Sequence, residues 1–250
     1  MKNVSAKKHL GQHFLKDEDI AICITNLLDK STKNVIEIGP GMGALTKFLI
    51  DKDIDLETIE IDKDSVTYLN SLYPNLVVKN EDFLKIDIKK KYSKSISLIG
   101  NFPYNISSQI LFKIYENKNH IIEMVGMFQK EVAERIVCKN GKKRGILSVL
   151  IQAFYSANYC FSVHPKSFNP PPKIQSGVVK LIRNKRTELN CDDNLFIKIV
   201  KMGFNQKRKT LRNSLKTINF KNKKEIEYLL NLRAEQLTVD NFIKITNHVK

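Results

Sequence analysis

The run Val35-Ile-Glu-Ile38, followed at once by Gly39-Pro-Gly-Met-Gly43, leaves this chain few folds to adopt. A compact apolar strand that breaks into Gly-x-Gly-x-Gly and resumes with helical spacing to about Ile50 is a strand–turn–helix unit. Its glycines take dihedrals that other residues avoid and let a ligand lie against bare backbone. Short apolar runs follow at 58–61, 76–78, 96–99 and 124–128, with helical spacing between them, as from Asp64 to Leu72. Strands separated by helices require crossovers, which predicts an α/β fold with a mostly parallel sheet. Residues 162–168 and 177–182 read as two late strands that pair as an antiparallel edge. The loop between them, Phe168-Asn-Pro-Pro-Pro-Lys173, cannot be helix.

From about Asp192 the pattern becomes wholly helical, with Phe196, Ile199, Val200 and Phe204 and then Ile226, Leu229 and Leu230 at helical spacing. The charged stretch Arg183-Asn-Lys-Arg-Thr-Glu188 marks the expected boundary, giving a larger domain over 1–184 and a small all-helical one over 185–250. Charge follows the same division. The chain carries 42 Lys and Arg against 26 Asp and Glu, a net +16, and residues 185–250 alone hold 15 basic and 7 acidic side chains. Only 7 of the basic residues are Arg, so coding bias accounts for part of the total but not for its concentration. A concentrated basic surface suits a nucleic-acid partner, because neutralising phosphates releases counterions. Lys2, Lys7, Lys8 and His9 form a second, smaller basic arm.

No apolar run reaches the roughly 20 residues of a membrane span, and the N-terminus lacks the apolar core of a signal peptide. A cytoplasmic location is expected. The cysteines at 23, 138, 160 and 191 never form Cys-x-x-Cys, so neither a metal site nor a disulfide framework is expected. With no spare apolar helix face in the pattern, the expected state is a monomer.

Three carboxylates accompany the glycine turn. Glu60 ends the run at 58–61, where it can accept both hydroxyl hydrogens of a ribose, and Asp82 follows the run at 76–78, where it can accept from the 6-amino group of an adenine. Gly39 and Gly41, with these two, describe a nucleoside-containing cofactor at the carboxyl ends of parallel strands. Two such cofactors fit. Gly39, Gly41 and Ala44 satisfy the dinucleotide fingerprint of nicotinamide enzymes. Glu37, just ahead of the turn, would repel a pyrophosphate and attract the cationic groups of S-adenosylmethionine.

The run at 96–99 ends in Gly100-Asn-Phe-Pro-Tyr104. The exocyclic amine of adenine is a poor nucleophile because its lone pair is delocalised into the ring. The carboxamide oxygen of Asn101 and the backbone carbonyl of Phe102 can each accept one of its N–H groups and favour a more tetrahedral nitrogen. Pro103 fixes the direction of that carbonyl, and Tyr104 offers a ring for the base to stack on. Phe168, ahead of the proline run, is a candidate second stacking wall. Lys207, Arg208, Lys209 and Arg212 form one phosphate-facing surface if their segment is helical.

Five ordered motifs, Leu10-Gly-Gln-His-Phe-Leu15, Glu37-Ile-Gly-Pro-Gly41, Gly100-Asn-Phe-Pro-Tyr104, Phe168-Asn-Pro-Pro-Pro-Lys-Ile-Gln-Ser176 and Phe204-Asn-Gln-Lys-Arg-Lys-Thr-Leu-Arg-Asn-Ser214, resemble those of the ribosomal RNA adenine dimethyltransferases. The last of them is similar to the small-subunit (KsgA-type) branch. The resemblance implies a class I Rossmann-like S-adenosylmethionine-dependent methyltransferase domain with a small C-terminal helical domain, working without metal. It implies dimethylation of two adjacent adenosines near the 3′ end of 16S rRNA in the small ribosomal subunit, late in its biogenesis. It further implies that His13 and Leu15 close over the cofactor beside Gly39, that Glu60 holds the ribose and Asp82 the adenine, and that Asn101 lies between cofactor and target. Tyr104 and Phe168 would flank the flipped adenine. Three departures are mild: Phe102 for the commoner Leu, His13 for the frequent Asn, and Ile174 for Val. Two rival functions share much of this pattern, methylation of 23S rRNA and a non-catalytic role in ribosome assembly.

Overall fold

The structure, a computed structural model, describes residues 4–250. Lys2 of the expected basic arm lies outside them. The chain forms two compact units, one comprising the chain through Ala133 together with Ala157–Arg183, the other Glu134–Ser156 together with Asn184–Lys250. The last crossing, at 183/184, falls one residue from the expected boundary. The excursion of 134–156 into the second unit was not expected.

The first unit is built on nine strands: β1 (Phe14–Leu15), β2 (Asn34–Ile38), β3 (Asp55–Ile59), β4 (Val77–Lys79), β5 (Ile96–Asn101), β6 (Ile121–Gln129), β7 (Tyr155–Val163), β8 (Phe168–Asn169) and β9 (Ser176–Arg183). Seven of them form one sheet in the order β4-β3-β2-β5-β6-β9-β7. Pairing is parallel from β4 through β6 and antiparallel between β6 and β9. Strand order reverses between β2 and β5. In an open parallel sheet that switch point, at the carboxyl ends of the strands, is where a ligand finds a crevice. In β2, Val35 through Ile38 are all buried, the signature of a strand covered on both faces, and Glu37 is the one polar residue among them.

Helix α1 (Glu18–Thr25) precedes β2, and α2 (Thr46–Leu49), α3 (Lys63–Leu72), α4 (Ile88–Lys91) and α5 (Ser107–Glu116) fill the crossovers. The Asp62 side chain caps α3 by accepting from the Asp64 amide, and α5 buries Ile110, Leu111 and Ile114 on one stripe. Three expectations shift. The helix after the glycine turn shrinks to the single turn of α2. The strand expected at 58–61 is displaced, since β3 pairs with β2 from Asp55 onward and stops at Ile59. The strand expected at 162–168 lies earlier, at β7, because His164 accepts from the Lys166 amide and turns the chain through Pro165. Phe168 then enters a separate two-stranded ribbon, where Leu15 pairs with Phe168 and Phe14 with Asn169.

Helix α6 (Lys130–Val137) leads into the second unit, which holds α7 (Ile146–Phe154), α8 (Asp193–Asn205), α9 (Leu211–Ser214), α10 (Glu227–Leu230) and α11 (Val239–Asn247). Helix α7 is apolar nearly all round and packs against both α8 and α11. No helix is long and apolar enough to cross a membrane among the described residues.

Candidate active site

A cavity opens at the switch point, bounded by residues 10–15, 37–42, 59–61, 81–84 and 101–106. It gathers His13, Leu15, Glu37, Gly39, Gly41, Glu60, Asp82, Asn101, Phe102, Pro103 and Tyr104 around one space. Phe168 does not line it; that ring is 1% exposed and packs into the apolar core with Leu15, Val163 and Val178. As the first unit stands, Phe168 is a core residue and not a stacking wall.

The glycine loop shapes one side. Gly39 and Gly41 have φ of +65° and +57°, which a side chain adopts only under strain. A Cβ on Gly41 would stand 2.9 Å from the Phe14 ring, whereas one on Gly39 would meet only Pro103, at 3.9 Å. The bare backbone of Gly39 thus faces open space of the kind a ligand can fill. Glu60 sits just past β3, 4% exposed, with one carboxylate oxygen accepting from the Gly41 amide at 3.0 Å and the other from the Asp62 amide at 2.8 Å. Burial raises its pKa, and those two amides offset only part of the rise. Each oxygen keeps a further lone pair for a hydroxyl donor. Asp82 accepts from the Leu84 amide at 3.0 Å and reaches the same cavity. Paired acceptors beside a glycine-backed slot fit the ribose and base of a nucleoside cofactor. No metal-holding cluster exists among the described residues.

Glu37 lies deeper. Thr46 Oγ1 donates to its carboxylate at 2.6 Å, but burial, with the nearby negative charge of Glu60, pushes its pKa up to about 8. The native state therefore holds a proton that the unfolded chain releases near pH 4.5. Stability should fall as pH rises between those two values, by up to about 1 kcal/mol per pH unit at the steepest, and level off above the native pKa. Melting curves from pH 5 to pH 9 would show a shallower decline in Glu37→Gln, with a remainder from Glu60, which shifts the same way. Identical pH profiles for the variant and the parent protein would place the titration elsewhere.

Asn101 closes β5. Its Nδ2 donates to the backbone carbonyl of His13 at 2.8 Å, and since a carbonyl can only accept, the amide orientation is set with Oδ1 as the remaining acceptor. The His13 ring nitrogen Nδ1 lies 2.8 Å from the carbonyl of Pro170 and so donates to it. The same ring lies against Tyr104, with centroids 5.5 Å apart and planes 33° from parallel. Residues 10–15 form one wall, and the segment from Lys7 is fastened by Lys7 to Asp62 and Asp64, by Gln12 Nε2 to Asp62 at 3.1 Å, and by Asn105 Nδ2 to the His9 carbonyl at 3.3 Å. Sequence reading missed Gln12, Phe14, Thr46 and Asp62, whose parts depend on partners up to 55 residues away. Ile61, beside Glu60, is 51% exposed on the cavity, and nothing in the sequence separates it from the rest of the apolar run at 58–61.

A sequence model described as "Ribosomal RNA adenine dimethylase" matches residues 3–250. The chain belongs to the ribosomal RNA adenine dimethylase family. Within the wider set of relatives, the Ribosomal RNA small subunit methyltransferase A of Flavobacterium johnsoniae is 53% identical over all of this chain and 98% of its own length. That of Cytophaga hutchinsonii is 51% identical over 99% of this chain and 98% of its own. A crystal structure of a dimethyladenosine transferase from Plasmodium falciparum superposes with a TM-score of 0.78 at 28% identity, covering 93% of this chain and 96% of that one. The dimethylase fold is thus the class I, Rossmann-like methyltransferase fold, and the dinucleotide alternative left open by the glycine spacing falls away.

The expected RNA-facing residues divide. In this dimethylase Lys207, Arg208 and Lys209 are exposed, in a turn between α8 and α9 and not on a helix. Arg212 on α9 is engaged within its own unit, Nη2 donating to Glu227 at 2.7 Å and Nε to Asn231 at 3.2 Å. The glutamate that pairs with Arg212 lies 15 residues on in the chain, and that pair remains exposed.

Proposed function

We propose that this dimethylase transfers methyl groups from S-adenosylmethionine to the 6-amino groups of two adjacent adenosines near the 3′ end of 16S rRNA, twice each, in the small subunit late in its biogenesis. It acts as a cytoplasmic monomer. The observation that carries the reading is the fixed carboxamide of Asn101, one residue from the Phe102 carbonyl and three from the Tyr104 ring, on the rim of a cavity whose other end offers Glu60 and Asp82. In this reading Glu60 receives the ribose hydroxyls, Asp82 the adenine amine, Gly39 and Gly41 leave room for the cofactor chain, and His13 and Leu15 form the wall that encloses it. When bound, S-adenosylmethionine supplies an electrophilic methyl. The chain's own residues position the target amine: Oδ1 of Asn101 and the Phe102 carbonyl accept its two hydrogens in the first transfer and the one that remains in the second, Pro103 aims that carbonyl, and Tyr104 supports the base; the nitrogen becomes acidic once methylated and releases its proton to solvent after each transfer. A base unstacked from RNA and held on an aromatic ring is reached without opening a long duplex.

Labelled methyl transfer to small subunits lacking this modification, followed by nuclease mapping, tests the whole reading. Four methyls per subunit on two adjacent adenosines are expected. Incorporation into the large subunit, or none with cofactor binding intact, would overturn it in favour of 23S methylation or an assembly role. Glu60→Ala should weaken S-adenosylmethionine binding by about 1–3 kcal/mol, the scale of hydrogen bonds to a charged acceptor, and calorimetry showing equal affinity would remove Glu60 from the site. Replacing Lys207, Arg208 and Lys209 together by Gln should flatten the salt dependence of RNA binding by a slope of about 2–3, one for each phosphate no longer neutralised. An unchanged slope would mean that this turn faces solvent in the complex.

A further inference from the structure

Tyr104 begins the short turn Tyr104–Ile106 after Pro103. The hydroxyl end is held by one contact, to Ser176 Oγ at 2.5 Å, across 72 residues of sequence. Ser176 is fully buried and opens β9, paired with Gln129 of β6. The strand end that carries it is pinned on its other side too, by the Lys130 amide to the Gln175 carbonyl at 2.9 Å and Lys130 Nζ to Gln175 Oε1 at 2.8 Å. Beside it, Gly177 leaves no room for movement, since even a Cβ there would come within 2.8 Å of Ala133 and Tyr159. The His13 ring packs on Tyr104, centroids 5.5 Å apart. The hydroxyl oxygen lies on the axis of ring rotation, so the strand fixes where the ring tip sits, and the His13 ring alongside limits its rotation.

We infer that Ser176 is a positioning residue for methyl transfer: its hydroxyl anchors the tip of the Tyr104 ring on which the target base stacks. The inference rests on the platform role given to Tyr104 above. A base that stacks on a ring whose tip can swing presents its amine to Asn101 over a range of positions, and misplacement on the order of 1 Å costs about a hundredfold in rate when reacting atoms must align. Loss of one tether, with His13 still in place, costs less. The hydroxyl pair also satisfies two partly or wholly buried polar groups, so a purely structural role predicts lost stability and unchanged transfer.

The full-length protein with S-adenosylmethionine and unmethylated small subunits decides between them. Ser176→Ala and Tyr104→Phe should each lower the single-turnover rate about five- to tenfold, with the cofactor dissociation constant within twofold of the parent. The double variant should be no slower than either single one, because both remove the same hydrogen bond. A short RNA carrying 2-aminopurine at the target position should show weaker quenching on binding to each variant. Unchanged rate and quenching, or rate losses that multiply in the double variant, would overturn the inference. If Ser176→Ala does not fold, Tyr104→Phe removes the same bond from the other side and carries the test alone. Tyr104→Ala separates the two levels: if it transfers methyl as fast as the parent, the platform reading itself fails, whereas a large loss there with none in Tyr104→Phe sinks only the role of Ser176.

Discussion

Asn101→Ala is expected to lower the single-turnover rate of methyl transfer by about a hundredfold or more, the usual loss when a preorganised polar contact to the reacting group is removed. Two consequences combine. The acceptor for one target N–H disappears, and the His13 carbonyl loses the donor that reaches it at 2.8 Å from Asn101 Nδ2. Asn101→Asp should fare no better, because a carboxylate set against that carbonyl opposes two acceptors. Folding should survive both changes, since Asn101 ends its strand at the cavity rim and is half-buried. Rapid-quench transfer to small subunits, with calorimetry of S-adenosylmethionine in parallel, separates chemistry from binding. A rate within a few-fold of the parent would move the acceptor role away from Asn101.

The second large effect concerns stability. Gly100 and Gly126 are register partners on β5 and β6, and the Phe102 ring lies over both. A Cβ on Gly100 would stand 2.5 Å from the Ile38 carbonyl oxygen and 2.7 Å from the Phe102 ring; one on Gly126 would stand 2.2 Å from that ring. The clash at Gly100 is with backbone, in the strand pair that frames the cavity, and no rotamer relieves it. Gly100→Ala should therefore cost about 3 kcal/mol, the upper range for overpacking a tight core, and lower the melting temperature by roughly 6–12 °C in a protein of this size. It should also cost activity, because Phe102 is the residue between Asn101 and Pro103. Gly126→Ala meets side chains, Phe102 and Met124, and should be milder. A melting temperature within 2 °C of the parent for Gly100→Ala, about half a kcal/mol, would show that β2 and β5 yield more than their pairing suggests.

Asn101 and Gly100 also show how far the sequence could be read. Parallel strands covered on both faces announce themselves as continuous apolar runs, so β2, β5 and β6 were visible, and with them the turn after β2 and the end of β5. The cavity is built from strand ends, and most of its residues were legible for that reason. Strand β3 was harder, because Asp55, Leu56 and Glu57 look like a loop until β2 supplies a register for them. Phe168 was misread for a different reason. A proline-rich loop looks the same whether its leading aromatic points to solvent, to ligand or to the core, and only the ribbon with Leu15 decides. Arg212 belongs to the same class, since its carboxylate partner is set by the packing of α9 and α10. The path of 134–156 had no local sign at all, for α7 shows only that it is apolar nearly all round, not which elements cover it.

That path sets an order of events at the ribosome. Helix α7 emerges before either of the helices that cover it, and α11, the later of them, ends three residues from the last described one. At about 5–20 residues per second of synthesis, the apolar flank of α7 waits on the order of 5–20 s for its second partner. The central sheet waits too, since β9 must be made before it can slot between β6 and β7. Neither unit can be completed from the chain that precedes residue 176. A protein of this architecture can close its first unit only after residue 183 is made and its second only after α11, and chaperone occupancy during those intervals bears on its yield as directly as the stability of the finished fold.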